Sequence, residues 1–203
     1  MPHHSRQALL FATVVLLWAP GLWAQDQPRQ APKSETVQTQ SRPAASHPGF
    51  ERLKKLAGEW VPAETAEPTT QPTGDREGAG PSDTSQPICI YKVVSAGSVV
   101  QETLFPGTPH EMVTMYYQEG PDLILTHYCA MGNQPRMRAE PPTDASKLEF
   151  KFAGGSNINP GKDMHMHDLT LTFVDADRVR AEWTLYRDGQ QSGVKTFDLK
   201  RKK

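Results

Sequence analysis

Cysteine is scarce in this chain, two in 203 residues, and neither sits in a Cys-x-x-Cys pair. A dense disulfide framework and a zinc ribbon are both excluded. An excess of one charge is missing too: 22 Lys and Arg face 23 Asp and Glu, for a formal net charge of −1. Nucleic acid is therefore not an expected partner, because binding it needs a basic face that displaces counterions. Beyond residue 24 no apolar run is long enough to cross a bilayer as a helix. Beyond Leu56 no stretch repeats its apolar residues at helical spacing, which excludes a parallel α/β sheet with its crossover helices. There is no Gly-x-Ser-x-Gly elbow and no Gly-rich phosphate loop. Nothing in the sequence asks for an enzyme, and no cofactor is named by it.

The first residues have a clear order. His3, His4 and Arg6 precede the apolar run Ala8 to Trp18, and Pro20-Gly21-Leu22-Trp23-Ala24 leads into polar Gln25. Charge, a short greasy core and a small-residue exit describe a secretory signal peptide over residues 1–24, cut after Ala24. The mature chain is expected to be exported, periplasmic or secreted. No membrane span should remain after cleavage, and no Cys at the cut site offers a lipid anchor. Residues 25–47 are rich in Gln, Pro, Ser, Thr and Ala, a composition that cannot offset the entropy of ordering, and read as a disordered tether. Residues 48–203 then form one domain, expected to be a monomer.

Within that domain Phe50, Leu53, Leu56 and Ala57 line one face of a short helix over 48–56, with Gly58 as its left-handed end. Trp60-Val61 starts a first strand. Residues 62–87, dense in Pro, Thr, Gly, Asp and Glu, read as a long flexible loop. From Ile88 onward strand follows strand, at about 88–95, 98–105, 110–118, 122–129, 135–140, 147–153, 164–174, 178–187 and 192–200. Ala96-Gly97, Pro106-Gly107, Gly120-Pro121-Asp122, Asp175-Ala176-Asp177 and Asp188-Gly189 supply turns, and residues 154–162 a longer loop. Short links make neighbours antiparallel, and closure removes exposed edges. The fold class is all-β: an antiparallel up-and-down barrel of about eight to ten strands with a short N-terminal helix.

Alternation assigns the candidate site. In the strand 164–174, His165, His167, Leu169, Leu171 and Phe173 share a face, which is the greasy interior. In 122–129 both faces carry apolar residues, so the side taken by His127 and Cys129 stays open. Counting strands up and down brings His127, Cys129, His165 and His167 to one barrel end, with His110 and Cys89 nearby. His127, Cys129, His165, His167, Arg136 and Trp183 are the candidate ligand-binding residues, and His165, His167 and His127 the candidate metal ligands. The same histidines would equally close a barrel end by hydrogen bonds. Arg136 would meet an anionic group or simply pair on the surface. Cys89 and Cys129, several strands apart, are expected to be separate thiols. Glu182 falls on the face opposite Trp183 and should point outward.

The phrase Leu56-Ala57-Gly58-Glu59-Trp60 resembles the opening of the lipocalin and calycin superfamily, where a short helix and Gly-x-Trp begin the barrel. The closing strand Thr196-Phe197-Asp198-Leu199-Lys200-Arg201 is similar in placing a basic residue where it covers that Trp. Leu104-Phe105-Pro106-Gly107-Thr108-Pro109-His110-Glu111-Met112 and the stretch from His127 to Met137 look like fingerprints of lipocalin-like domains in bacterial exported proteins. The resemblance implies a calycin-type barrel that binds a small apolar or amphipathic molecule; on the binding reading Trp183, Phe173, Leu169 and Leu171 are among its wall residues. Kinship with haem-binding barrels of the nitrobindin kind would imply a histidine ligand to iron, which the resemblance assigns to no residue here. Three functions thus stand side by side: a small-molecule binder, a metal or haem protein, and a structural or interaction domain with a filled core.

Overall fold

Apolar residues at every second position, broken by turn residues, build a sheet that has no edge left once its last strand meets its first. The computed structural model describes residues 46–63, 86–141 and 144–203. The expected signal peptide, most of the tether and residues 64–85 of the long loop lie outside the described residues. One helix, α1 (Pro48–Lys54), precedes ten strands: β1 (Gly58–Pro62), β2 (Cys89–Val94), β3 (Val99–Leu104), β4 (Met112–Glu119) and β5 (Asp122–Tyr128). There follow β6 (Gln134–Ala139), β7 (Lys147–Ser156), β8 (His165–Phe173), β9 (Arg178–Arg187) and β10 (Gln190–Arg201). Every neighbouring pair is antiparallel, and β1 joins β10 to close the barrel. Among the described residues no helix is long and apolar enough to cross a membrane.

The helix is two residues shorter than the expected 48–56, since Lys55 and Leu56 turn out of it while Leu56 N–H still bonds Leu53 C=O at 3.0 Å. Phe50, Leu53 and Leu56 are buried, as the spacing requires. Gly58 does not cap it. It opens β1 at φ +136°, and a Cβ there would lie 2.9 Å from Arg201 Nη1. Glycine is needed because Arg201 lays its guanidinium 4.5 Å over the Trp60 ring while donating to Ala57 O at 2.8 Å and Lys55 O at 2.9 Å.

The helix packs at the end of the barrel where β4 turns into β5 and β8 into β9. Arg52 lies 4.0 Å over Phe173, and Gly49 abuts Leu148. The links 105–111, 129–133, 157–164 and 188–189 gather at the other end. β4 starts at Met112 rather than at residue 110, because Glu111 turns back to accept from Gly107 N–H at 2.6 Å and holds 105–111 as a loop. The lumen is lined from all sides by buried Trp60, Tyr91, Tyr116, Leu125, Met137, Phe150, Leu169, Leu171 and Trp183.

One part of the wall is thin. β1 pairs with β10 only at Trp60↔Arg201, Val61↔Lys200 and Pro62↔Leu199. Among the described residues, β10 from Gln190 to Phe197 has ladder partners on β9 alone. Lys195, directly opposite Trp183 and hence on its face, is exposed.

Candidate functional site

Val100, Glu102 and Leu104 are the buried positions of β3, so alternation carries a carboxylate into the barrel with two aliphatic residues. The register extends this into a row. Tyr91 lies opposite Glu102, Glu102 opposite Thr114, and Thr114 opposite His127, across β2, β3, β4 and β5. Directly opposed residues share a face, and all four are buried. Tyr91 Oη donates to Glu102 Oε1 at 2.8 Å and Tyr116 Oη to Oε2 at 2.7 Å, while the Cys89 thiol reaches Oε1 at 3.6 Å. Thr114 stands opposite Glu102 in the ladder and helps hold its carboxyl down.

Burial pushes the Glu102 carboxyl above its usual range, and its donors pull it part of the way back. Tyr91, Tyr116 and Cys89 are held well above their ordinary values, chiefly by burial, and stay protonated as donors. A carboxylate in the barrel is tolerated because O–H and S–H groups converge on it. The far side of Thr114 meets His127 Nδ1 at 2.9 Å. Either partner can donate in that contact, according to the imidazole tautomer. Burial lowers the His127 pKa to about 4, and the ring is neutral at pH 7.

Trp183 comes from β9, on the opposite wall, and its ring stands 4.8 Å from that of His127. Neither His127 Nε2 nor Trp183 Nε1 has a hydrogen-bond partner among the described residues, and both are buried. Two polar ring nitrogens, on rings 4.8 Å apart, are thus left over inside the barrel. Orphans of this kind are rare in folded proteins and costly unless something satisfies them.

The six residues expected at the site divide into separate places. His127 and Trp183 meet in the lumen. His165 is fully buried, and its Nε2 bonds His167 Nδ1 at 3.0 Å while its Nδ1 bonds Asp163 O at 2.8 Å. His167 is only half-buried, against the expectation that both would point in. A bulge between Met166 and Asp168 breaks the alternation there, and the ring is stacked between Phe152 at 4.6 Å and Tyr186 at 3.7 Å. Cys129 contacts Met112 Sδ at 3.9 Å, and both cysteines are unbridged and buried. Arg136 lies on the outer face of β6 between buried Pro135 and Met137, paired with Glu119.

Among the described residues no group of three or more His, Cys, Asp or Glu is arranged to hold a metal ion. His165 and His167 spend ring nitrogens on each other, and His127 offers one unpartnered ring nitrogen where a metal site needs three or four ligands. A hollow of about 350 Å³ lies elsewhere, along β8 to β10, with Lys147, Thr172, Arg178, Arg180, Glu182 and Asp198 in its lining. Glu182 thus lines the outside, as alternation requires. The rim charges there neutralise one another, Arg180 with Asp198 at 2.6 Å and Arg178 with Asp175 at 4.0 Å, so the lumenal row is the stronger candidate.

Glu102, Tyr91, Tyr116 and Thr114 were not among the candidates, although the pattern Val100, Glu102, Leu104 contained the signal. No family model matches the chain. No curated protein matches it in sequence.

Proposed function

We propose that this protein is an exported binding barrel that takes a small apolar or amphipathic molecule into its lumen, against His127 and Trp183. The observation that carries this is the pair of buried ring nitrogens without a partner among the described residues, His127 Nε2 and Trp183 Nε1, between the Glu102 network and the apolar side chains of the interior. A few placed polar atoms in greasy surroundings are what orients a small ligand, and apolar area contributes on the order of 25 cal/mol per Å² removed from water. A way in next to Trp183 is supported by β10 having, from Gln190 to Phe197, ladder partners on β9 alone among the described residues. Export is supported by residues 3–24.

The test is native mass spectrometry of the full chain purified from its own compartment, with thermal unfolding in the presence of apolar compounds. A bound mass, or stabilisation of about 3 kcal/mol at a hundred times the dissociation constant, is expected. A bare protein whose melting none of the compounds moves would leave the filled-core interaction domain in its place.

A further inference from the structure

We propose that the hollow on the outer face of β8 to β10 is a second binding site, separate from the lumen, that takes a zwitterionic peptide of two or three residues. The hollow measures about 350 Å³, within the size range of small-molecule sites. The ladder explains its charges. Lys147 of β7 lies opposite Thr172 of β8, Thr172 opposite Arg180 of β9, and Arg180 opposite Asp198 of β10, so these side chains stand in one row on one face. Glu182, two residues beyond Arg180, shares that face. Exposed Val174 adds an apolar surface to the lining.

The charges are not all paired. Arg180 and Asp198 hold each other through two bonds, Nε to Oδ1 at 2.6 Å and Nη2 to Oδ2 at 3.1 Å, and neutralise each other. The side chains of Lys147 and Glu182 have no hydrogen bond or ion pair among the described residues. One cation and one anion are therefore left in the same hollow, both half-buried. A simple anion satisfies Lys147 and is repelled by Glu182, and a simple cation meets the converse. A molecule with a charge of each sign at its two ends satisfies both.

Spacing sets its length. Lys147 and Glu182 sit two strands and two residues apart, which is about 12 Å between Cα atoms, and their side chains are long enough to close part of that. The charges of a free amino acid, about 3 Å apart, are too close to bridge the rest, whereas each further residue adds up to about 3.5 Å. Two or three residues fit, with the ammonium on Glu182, the carboxylate on Lys147 and the peptide group between them beside the Thr172 hydroxyl.

The experiment is calorimetric titration of the full-length protein with alanyl-leucyl-alanine, its N-acetyl form, its C-terminal amide and free leucine. The tripeptide should bind about five-fold tighter than any of the other three, the worth of one partly exposed ion pair. Glu182→Gln should cancel the preference over the acetylated form and keep that over the amide. Lys147→Gln should do the reverse. Both side chains lie on the outer face, so the urea midpoint should stay in place in either variant. In the unaltered protein, NMR should show the tripeptide moving the Thr172 amide and Val174 methyl signals. Equal binding of blocked and unblocked peptides overturns the zwitterionic ligand, and no binding overturns the site. A tripeptide that moves the Trp183 indole signal and leaves Thr172 in place overturns it as well, since the peptide then occupies the lumen.

Discussion

Gly58 and Arg201, the first residue of β1 and the last of β10, occupy one space: a Cβ on the glycine would stand 2.9 Å from the guanidinium Nη1. The arginine that covers Trp60 therefore depends on a residue without a side chain, at a φ of +136° that other residues rarely adopt. Gly58→Ala should cost about 1–3 kcal/mol, chiefly as backbone strain, since the far end of Arg201 is free to shift. The urea midpoint reports it, and an unchanged midpoint would mean that the closure between β1 and β10 does not need this glycine.

Glu102 supports a different prediction. Glu102→Leu removes the acceptor shared by the Tyr91 and Tyr116 hydroxyls and strands both in the interior. A loss of roughly 2–4 kcal/mol is expected from two orphaned donors. Tyr91→Phe and Tyr116→Phe, introduced beside it, should restore part of the loss, because the stranded groups are then gone. Additive losses in the triple variant would show that the three residues do not form one network.

The barrel was legible because alternation and turn residues repeat ten times over, and each strand's evidence supports its neighbours'. The side taken by His127 was not, since Ile124, which alternation turns the other way, is as buried as Leu123 and Leu125. Glu102 was legible in principle, but a charge in a strand normally marks the wet face, and only its convergent hydroxyls make the exception affordable. The bulge at His167 has no glycine to announce it. The meeting of His127 with Trp183 depends on how the closed sheet brings opposite walls together, which no local pattern encodes.

The neutral imidazole makes stability depend on pH. Unfolded, His127 takes a proton near pH 6.5; folded, it resists until about pH 4. Between those values the unfolded chain binds more protons, so stability is full above pH 6.5 and is lost as pH falls toward 4, by about 3 kcal/mol from this residue. His47 and His167, also lowered mainly by burial, add in the same direction. Glu102, raised by burial, runs oppositely and regains stability as acid protonates it. Urea unfolding of wild type and His127→Phe across this window isolates the His127 share. A variant with an undiminished acid loss would assign the effect elsewhere.

Cys89 and Cys129 offer a chemical check on burial. The Cys89 thiol is pushed well above its ordinary pKa by burial and by the Glu102 charge, and Cys129 is raised by burial. Thiolate is the reactive form, so both should react slowly with an aromatic disulfide reagent in the folded protein and fast once it is unfolded. Reductant should leave the melting temperature unchanged. Rapid labelling of native protein would place one thiol at the surface.

His167 separates a structural role from a metal-binding one. Its ring fills the space between Phe152 and Tyr186 and gives His165 Nε2 its partner. His167→Ala loses both the stack and the bond and should cost about 1–3 kcal/mol, whereas His167→Phe keeps the stack and should recover most of that. Zinc added to the unaltered protein should not move the unfolding midpoint, because reaching two nitrogens of this pair means breaking the bond that joins them. A zinc-induced rise that disappears in His167→Phe would reinstate the metal reading for this end of the barrel, and it would do so independently of what happens at His127.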